Sequence, residues 1–376
     1  MNIYFDIDGF YSLANKSSEH RNISVDIEHK KANELFEQYY LGLRNSILIC
    51  GDTLKDETEF FTTSKKLREM SKEIALNYLN EHLKFGKVKP PDFIWIAMTA
   101  IVDELQSQYP HLESIEVILS MKPKLNPRVM NKNKIYFPAL SRTLLNQYNL
   151  VLISSILSEI NEEGVLQKKA DIQHIARLTI PYFLFCHDNF SVRNLPISIP
   201  FSTEAIDKAF KLTNLQILFI LAHEYGHILL NHKYTTEPKQ RMDAEKEADL
   251  FALSIILGYV KKNDSYSMHD VFISIRWLFK YQLLEESIGL LVRGIPLNFK
   301  DIPSEIRRGN IQMEFIKMTG IKQSTVLESQ GFLTLVELQT ILYKEGTDFI
   351  NFVILKIKES QNNGIVEPWW KKIKTE

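Results

Sequence analysis

The 376-residue chain carries 45 basic and 46 acidic residues, a formal net charge of -1, and the two signs are interspersed rather than blocked. That balance excludes a nucleic-acid or membrane-surface footprint, either of which needs a concentrated basic patch. With 45% hydrophobic and 24% charged residues, the composition is that of a globular protein with a sizeable core, and the length exceeds what one compact domain usually holds.

Two cysteines, Cys50 and Cys186, stand far apart without metal-site spacing, which fits a reducing cytosol. The start, Met1 to Asp8, is acidic where a signal peptide needs a basic residue and an apolar run. The most apolar stretches, Phe93 to Val102 and Leu215 to Ala222, are about half the roughly 20 residues needed to span a bilayer. A soluble, cytoplasmic protein is expected.

In chain order, Asp6-Ile7-Asp8-Gly9 reads as the end of a short strand in a polar turn. From Val25 to Leu83, apolar residues such as Leu35, Phe36, Tyr39, Leu67, Met70 and Ile74 recur at helical spacing. They predict a helical N-terminal unit over 1–86, closed by the breaker Gly86-Lys87-Val88-Lys89-Pro90-Pro91.

Ile94 to Leu105 then reads as a helix, Ser114 to Met121 and Lys134 to Phe137 as strands, and the Pro- and Asn-rich stretch between the strands as a turn-rich connection. Leu140 to Leu157 reads as an apolar helix, Ile172 to Phe185 as a further apolar region, and Leu195 to Pro200 as an extended segment. Cys186-His187 has no orienting partner and reads as loop or core.

The chemistry concentrates in His223-Glu224-Tyr225-Gly226-His227, inside an apolar helical pattern running from a cap at Thr213 or Asn214 to Asn231. Histidines at i and i+4 present two imidazoles to one point, and Glu224, about 100° round the helix, reaches a water held there. Zn2+ takes such a pair, a third protein ligand and an open fourth position. His232, about 140° round from His227 on a continued helix, is a poor third ligand and reads as a solvated helix-end residue.

A second helix, from the turn at Thr235 to Pro238 through Leu257 with Gly258 as its cap, offers Asp243, Glu245, Glu247 and Asp249. Glu245 and Asp249 share a face with Ala248 and Ala252, whose small side chains allow close packing, while Glu247 points about 200° away from Glu245. Glu245 as ligand, with Asp249 accepting the other ring N–H of a ligating histidine, uses both residues.

His223-Glu224-x-x-His227 with Glu245-x-x-Ala248-Asp249-x-Phe251-Ala252 resembles the gluzincin zinc metallopeptidases, in particular the ImmA/IrrE-type and HtpX-type groups. The resemblance implies one zinc per chain on His223, His227 and Glu245, Glu224 as general base and Asp249 as the carboxylate that accepts from a ligating histidine and holds its ring in place. It further implies a zincin-like core, placed over 92–300, and with the helical periodicity on both sides the fold class is α+β, predominantly helical, with helical additions at 1–86 and 301–376. The chain departs from the HtpX type in having no membrane span, and Ile302 stands where that group has the histidine of H-P-S-x-x-x-R, matched otherwise by Pro303 and Ser304, with Arg307 one position nearer than the arginine of that stretch. It departs from the ImmA/IrrE type in having Asp249 where asparagine is usual.

The resemblance implies hydrolysis of peptide bonds in a protein or peptide substrate, in a regulatory or defence-type intracellular role, as ImmA/IrrE-type enzymes cleave repressors and Lit-type peptidases cleave a host factor. The alternative is a non-catalytic binding or sensor module that holds zinc, against which Glu224 speaks, because a closed structural site has no use for a base. Tyr225, His269, Arg276, Tyr281 and Arg307 are the candidates for stabilising an oxyanion. The strand at Ile115 or the segment Leu195 to Pro200 is expected to present an edge to the substrate backbone. Asp270 to Val292, Thr334 to Leu342 and Phe349 to Ile357 complete the chain as helices, before a basic tail at Lys371, Lys372 and Lys374.

Overall fold

The computed structural model describes residues 3–6, 87–88, 105, 107, 109, 115–120, 127–131, 134–138, 140–159, 203–233, 235–297, 303–321 and 325–362. Apart from Ile3–Asp6, which form a strand, the expected N-terminal helical unit lies outside the described residues, as do most of the helix at 94–105, the apolar region at 172–185, Cys186-His187 and the segment at 195–200.

Five strands form one mixed sheet in the order β2-β1-β3-β5-β4, with β1 Ile3–Asp6, β2 Lys87–Val88, β3 Glu116–Ser120, β4 Arg128–Asn131 and β5 Lys134–Pro138. β1, β3 and β5 are parallel; β2 and β4 are antiparallel edges. Along β5 the side chains alternate, Ile135 and Phe137 being fully buried while Lys134 and Tyr136 are half-buried, so one face points to the core. Two of the sequence-based expectations change here. The strand near Ile115 is interior, because β1 and β5 flank it, and the turn-rich connection contains a strand of its own, β4, which pairing with β5 creates where the polar sequence shows no alternation.

Helices make up most of the described residues: α1 Leu140–Glu159, α2 Thr203–Leu229, α3 Pro238–Lys261, α4 Met268–Val292, α5 Pro303–Thr319 and α6 Val326–Asn362. α2 is the axis. From Leu212 to Tyr225 every side chain is buried, as an all-round apolar run requires, and α1, α3 and α4 pack around it. α2 begins ten residues before the expected cap at Thr213. Thr213 and Asn214 are interior, and the Thr213 hydroxyl donates to the Ala209 carbonyl at 2.7 Å.

Polar residues inside this helix are satisfied across it. Asn149 of α1 donates to Thr213 Oγ1 at 3.0 Å and to Gln216 Oε1 at 2.9 Å, and accepts from the Tyr281 hydroxyl of α4 at 2.9 Å. Gln216 donates in turn to the Ser274 carbonyl at 3.2 Å. Such a network fixes the rotation of α2 about its axis, because any other angle leaves buried polar groups unpaired.

α4 starts in a capping box: Ser267 Oγ accepts from the Asp270 N–H at 3.1 Å and Asp270 Oδ2 from the Ser267 N–H at 2.8 Å. Lys208 pairs with the same Asp270, tying the start of α4 to the first turns of α2. α3 runs four residues past Leu257, with Gly258 inside it. The two expected C-terminal helices belong to one long element, α6, broken at Gly346, whose φ of 56° and ψ of -142° are open to glycine. α5 packs on α3 and α4 and so reaches the site.

Candidate active site

His223 and His227 stand one turn apart near the end of α2, with their Nε2 atoms 3.1 Å from each other. α3 crosses this turn at very short range. A Cβ on Gly226 would lie 3.1 Å from Phe251 Cδ1 and 3.2 Å from the Ala248 Cα, so glycine at 226 and alanine at 248 set how near the two helices come. That approach brings Glu245 in, its Oε2 3.3 Å from His223 Nε2 and its Oε1 3.8 Å from His227 Nε2. The three donor atoms of His223, His227 and Glu245 all lie within 4.8 Å of one another.

Asp249, one turn after Glu245, accepts from His223 Nδ1 at 2.8 Å. That bond makes Nδ1 the donor to Asp249 and turns Nε2 towards Glu245 and His227. Arg307 of α5 holds Asp249 through two parallel bonds, Nε to Oδ2 at 2.9 Å and Nη2 to Oδ1 at 2.7 Å, and its Nη1 lies 3.0 Å from Glu245 Oε2. Its planar fork matches a carboxylate geometrically, and the Phe279 ring lies 5.2 Å from its guanidinium carbon. The short Pro303-Ser304-x-x-Arg307 stretch thus carries the residue that joins the two acids of α3.

Two further contacts were not legible in the sequence. His232, expected at a solvated helix end, turns back so that its Nδ1 lies 2.9 Å from His227 Nδ1, and its Nε2 lies 3.0 Å from Glu247 Oε2. The backbone N–H of Val129, on edge strand β4, donates to the Glu224 carboxylate. Of the five oxyanion candidates, Arg307 lines the cleft beside the histidines and is engaged by carboxylates. Tyr225 and Tyr281 are buried in the core, and Arg276 pairs with Glu328. His269 is not among the residues lining the cleft.

The electrostatics follow from burial and these pairings. Burial alone would lower the pKa of His223, but the Asp249 and Glu245 carboxylates outweigh it and raise the value to about 9. Burial and the neighbouring His223 charge push His227 down to about 4. For Glu245, burial is overcome by His223 and Arg307, which hold it at about 2; Asp249 is likewise lowered against its burial by Arg307. Glu224 goes the other way, raised to about 6 by burial, with His223 opposing.

The cleft over these groups has a volume of about 1470 Å³. Val129 of β4 and Pro127 just before it stand at its rim, α2 contributes Phe219 and Ile220, and α5 contributes Asn310 and Glu314. No helix among the described residues is long and apolar enough to cross a membrane.

Comparison with known proteins supports a hydrolase of the peptidase class, whose substrates are proteins or peptides. The family whose model matches is Peptidase U49, over residues 191–288. That stretch contains His223, Glu224, His227, Glu245 and Asp249 and ends before Arg307. No curated protein and no solved structure matches the chain.

Proposed function

We propose that the chain is a zinc-dependent endopeptidase with Glu224 as its general base. The observation that carries this reading is the convergence of His223, His227 and Glu245 within 4.8 Å, with Glu224 buried beside them on the same turn of α2. Two imidazole nitrogens and a carboxylate are a donor set that zinc accepts in hydrolytic sites, so the residues present fit the metal. A bound Zn2+ supplies Lewis acidity, which activates water and polarises a carbonyl.

The chain's own residues do the rest. Asp249 fixes the tautomer and the angle of His223. Arg307 keeps Asp249 and Glu245 together on α3 and offsets their charge. Glu224, buried beside the three donor residues, takes the proton from the attacking water and returns it to the leaving amine, as a general base within reach of both does. The Val129 N–H orients that carboxylate. β4, an edge strand among the described residues and packed on α2, offers its backbone to an extended peptide in the manner of strand addition. A volume of about 1470 Å³ exceeds the roughly 300–1,000 Å³ of small-molecule pockets, which favours a peptide over a small amide. A cytoplasmic setting is part of this reading.

Metal analysis and one substitution test it. Purified protein is expected to hold one zinc per chain, and Glu224→Gln to keep that zinc while cleavage of the substrate falls about 10²–10⁴-fold, the usual worth of a general base. Absence of stoichiometric zinc, or unchanged cleavage in the zinc-loaded variant, would overturn the assignment.

A further inference from the structure

We infer that His232 and Glu247 form a positioning arm for His227, matching on the second histidine what Asp249 and Arg307 do for the first. The inference rests on the zinc reading of the site and on how α2 ends. The last helical residue is Leu229. Beyond it, Asn231 N–H donates to the Ile228 carbonyl at 3.1 Å and His232 N–H to the His227 carbonyl at 3.0 Å, with Asn231 at φ 54°. This is a Schellman ending with asparagine in the left-handed position. Its geometry returns the residue after the turn over the residue five before it, and those two residues are His232 and His227.

The rings meet with centroids 5.1 Å apart at 69°. The contact has directional content. If the Nε2 of His227 faces Glu245 and His223 as a ligand atom, its hydrogen sits on Nδ1 and is donated to His232 Nδ1 at 2.9 Å. His232 then carries its own hydrogen on Nε2 and donates it to Glu247 at 3.0 Å. Each ring nitrogen has one role, and the order of donors is set from the exposed carboxylate inwards. The His232 side chain is 12% exposed and that of Glu247 61%, so Glu247 contributes little energy by itself. Its part is to select the His232 tautomer that accepts.

Glu247 lies two residues from Glu245 on α3. α3 therefore supports both histidines: one face carries the third ligand and Asp249, and the flank carries the end of the arm. The residue excluded as a ligand by its helical angle is placed by that same angle to hold His232.

The test uses the full chain with zinc and cobalt as probes, measuring affinity by competition with a chromophoric chelator, the cobalt absorption spectrum, and the melting temperature of the metal-free protein. His232→Ala is expected to weaken zinc binding about 10- to 100-fold, the usual effect of removing a ligand's hydrogen-bond partner, and to alter the cobalt spectrum. His232→Asn, whose carbonyl oxygen accepts where Nδ1 did, restores most of that loss. Glu247→Ala falls between wild type and His232→Ala, and the exposed neighbour substitution Lys246→Ala leaves affinity unchanged. Zinc binding by His232→Ala within twofold of wild type, with an unchanged spectrum, overturns the arm. Equal losses in His232→Ala and His232→Asn overturn it too, since ring packing would then be the cause. A lowered melting temperature with unchanged zinc affinity would make His232 a plain helix cap. Failure of the wild type to take up zinc brings down the zinc reading and the arm with it, whereas normal wild-type binding with an unaffected His232→Ala brings down the arm alone.

Discussion

Glu245, Glu247 and Asp249 are three acids within five residues, and their surroundings give them three jobs. Glu245 faces both histidines, Asp249 lies beneath His223 and is nearly fully buried, and Glu247 stands in solvent at the end of His232. Zinc affinity should rank them. Glu245→Ala removes a donor atom and is expected to lose more than Glu247→Ala, which acts through one intermediate ring; equal losses in a chelator competition would contradict the placement of α3. Asp249→Ala should cost about 10- to 100-fold in affinity, as removal of a ligand's carboxylate partner does. Asp249→Asn should cost less, because the amide oxygen still accepts from His223 Nδ1 although Arg307 loses a charged partner.

At the level of elements, the closeness of α2 and α3 is the device that builds the site, and Gly226 is where it can be tested. A Cβ there meets the backbone of Ala248, which cannot swing away. Overpacking typically costs about 1–3 kcal/mol, and roughly 1 kcal/mol is returned because alanine is the better helix former. Gly226→Ala should therefore lower the melting temperature by only a few degrees, yet weaken zinc binding, because the displaced helix carries Glu245. Gly331→Ala is the control: its Cβ would lie 2.0 Å from the buried Trp277 ring, so the melting temperature should drop further, but neither residue lines the cleft and zinc affinity should hold. Equal zinc losses in the two variants would detach the site from the helix contact.

The same elements show what could be read in advance. The helices at Leu140 and Asp270 were visible because their apolar residues recur at a helical period. The start of α2 was not, since Thr213 and Asn214 look like caps and are in fact buried, Thr213 being partnered by an asparagine 64 residues away. β4 was hidden because its strand character comes from pairing with β5, and the fold-back of His232 because it depends on one asparagine leaving the helical region. Arg307 stood out only as part of a short stretch, and its two carboxylate partners lie 58 and 62 residues earlier in the chain.

Across the whole molecule, the site gathers Glu224, Glu245 and Asp249 around one guanidinium and two imidazoles, and α5, beyond the stretch matched to Peptidase U49, supplies the guanidinium. Metal-free protein must therefore carry part of its positive charge on protons. The pKa of His223 is raised from 6.5 to about 9, so its contribution to stability is fully present below pH 6.5 and is lost as pH rises through 9. His227 is lowered from 6.5 to about 4, so its effect is opposite: stability is lost as pH falls from 6.5 towards 4. Melting temperatures of the metal-free protein should thus decline from pH 6.5 to 9. The zinc-loaded protein should show no such decline from His223, because a ligating imidazole carries no proton on its donor nitrogen. Zinc uptake at pH 7.5 should then release close to one proton per ion, from His223. Calorimetry in two buffers of different ionisation enthalpy reads this directly, and a release near zero would mean that His223 is already neutral before the metal arrives.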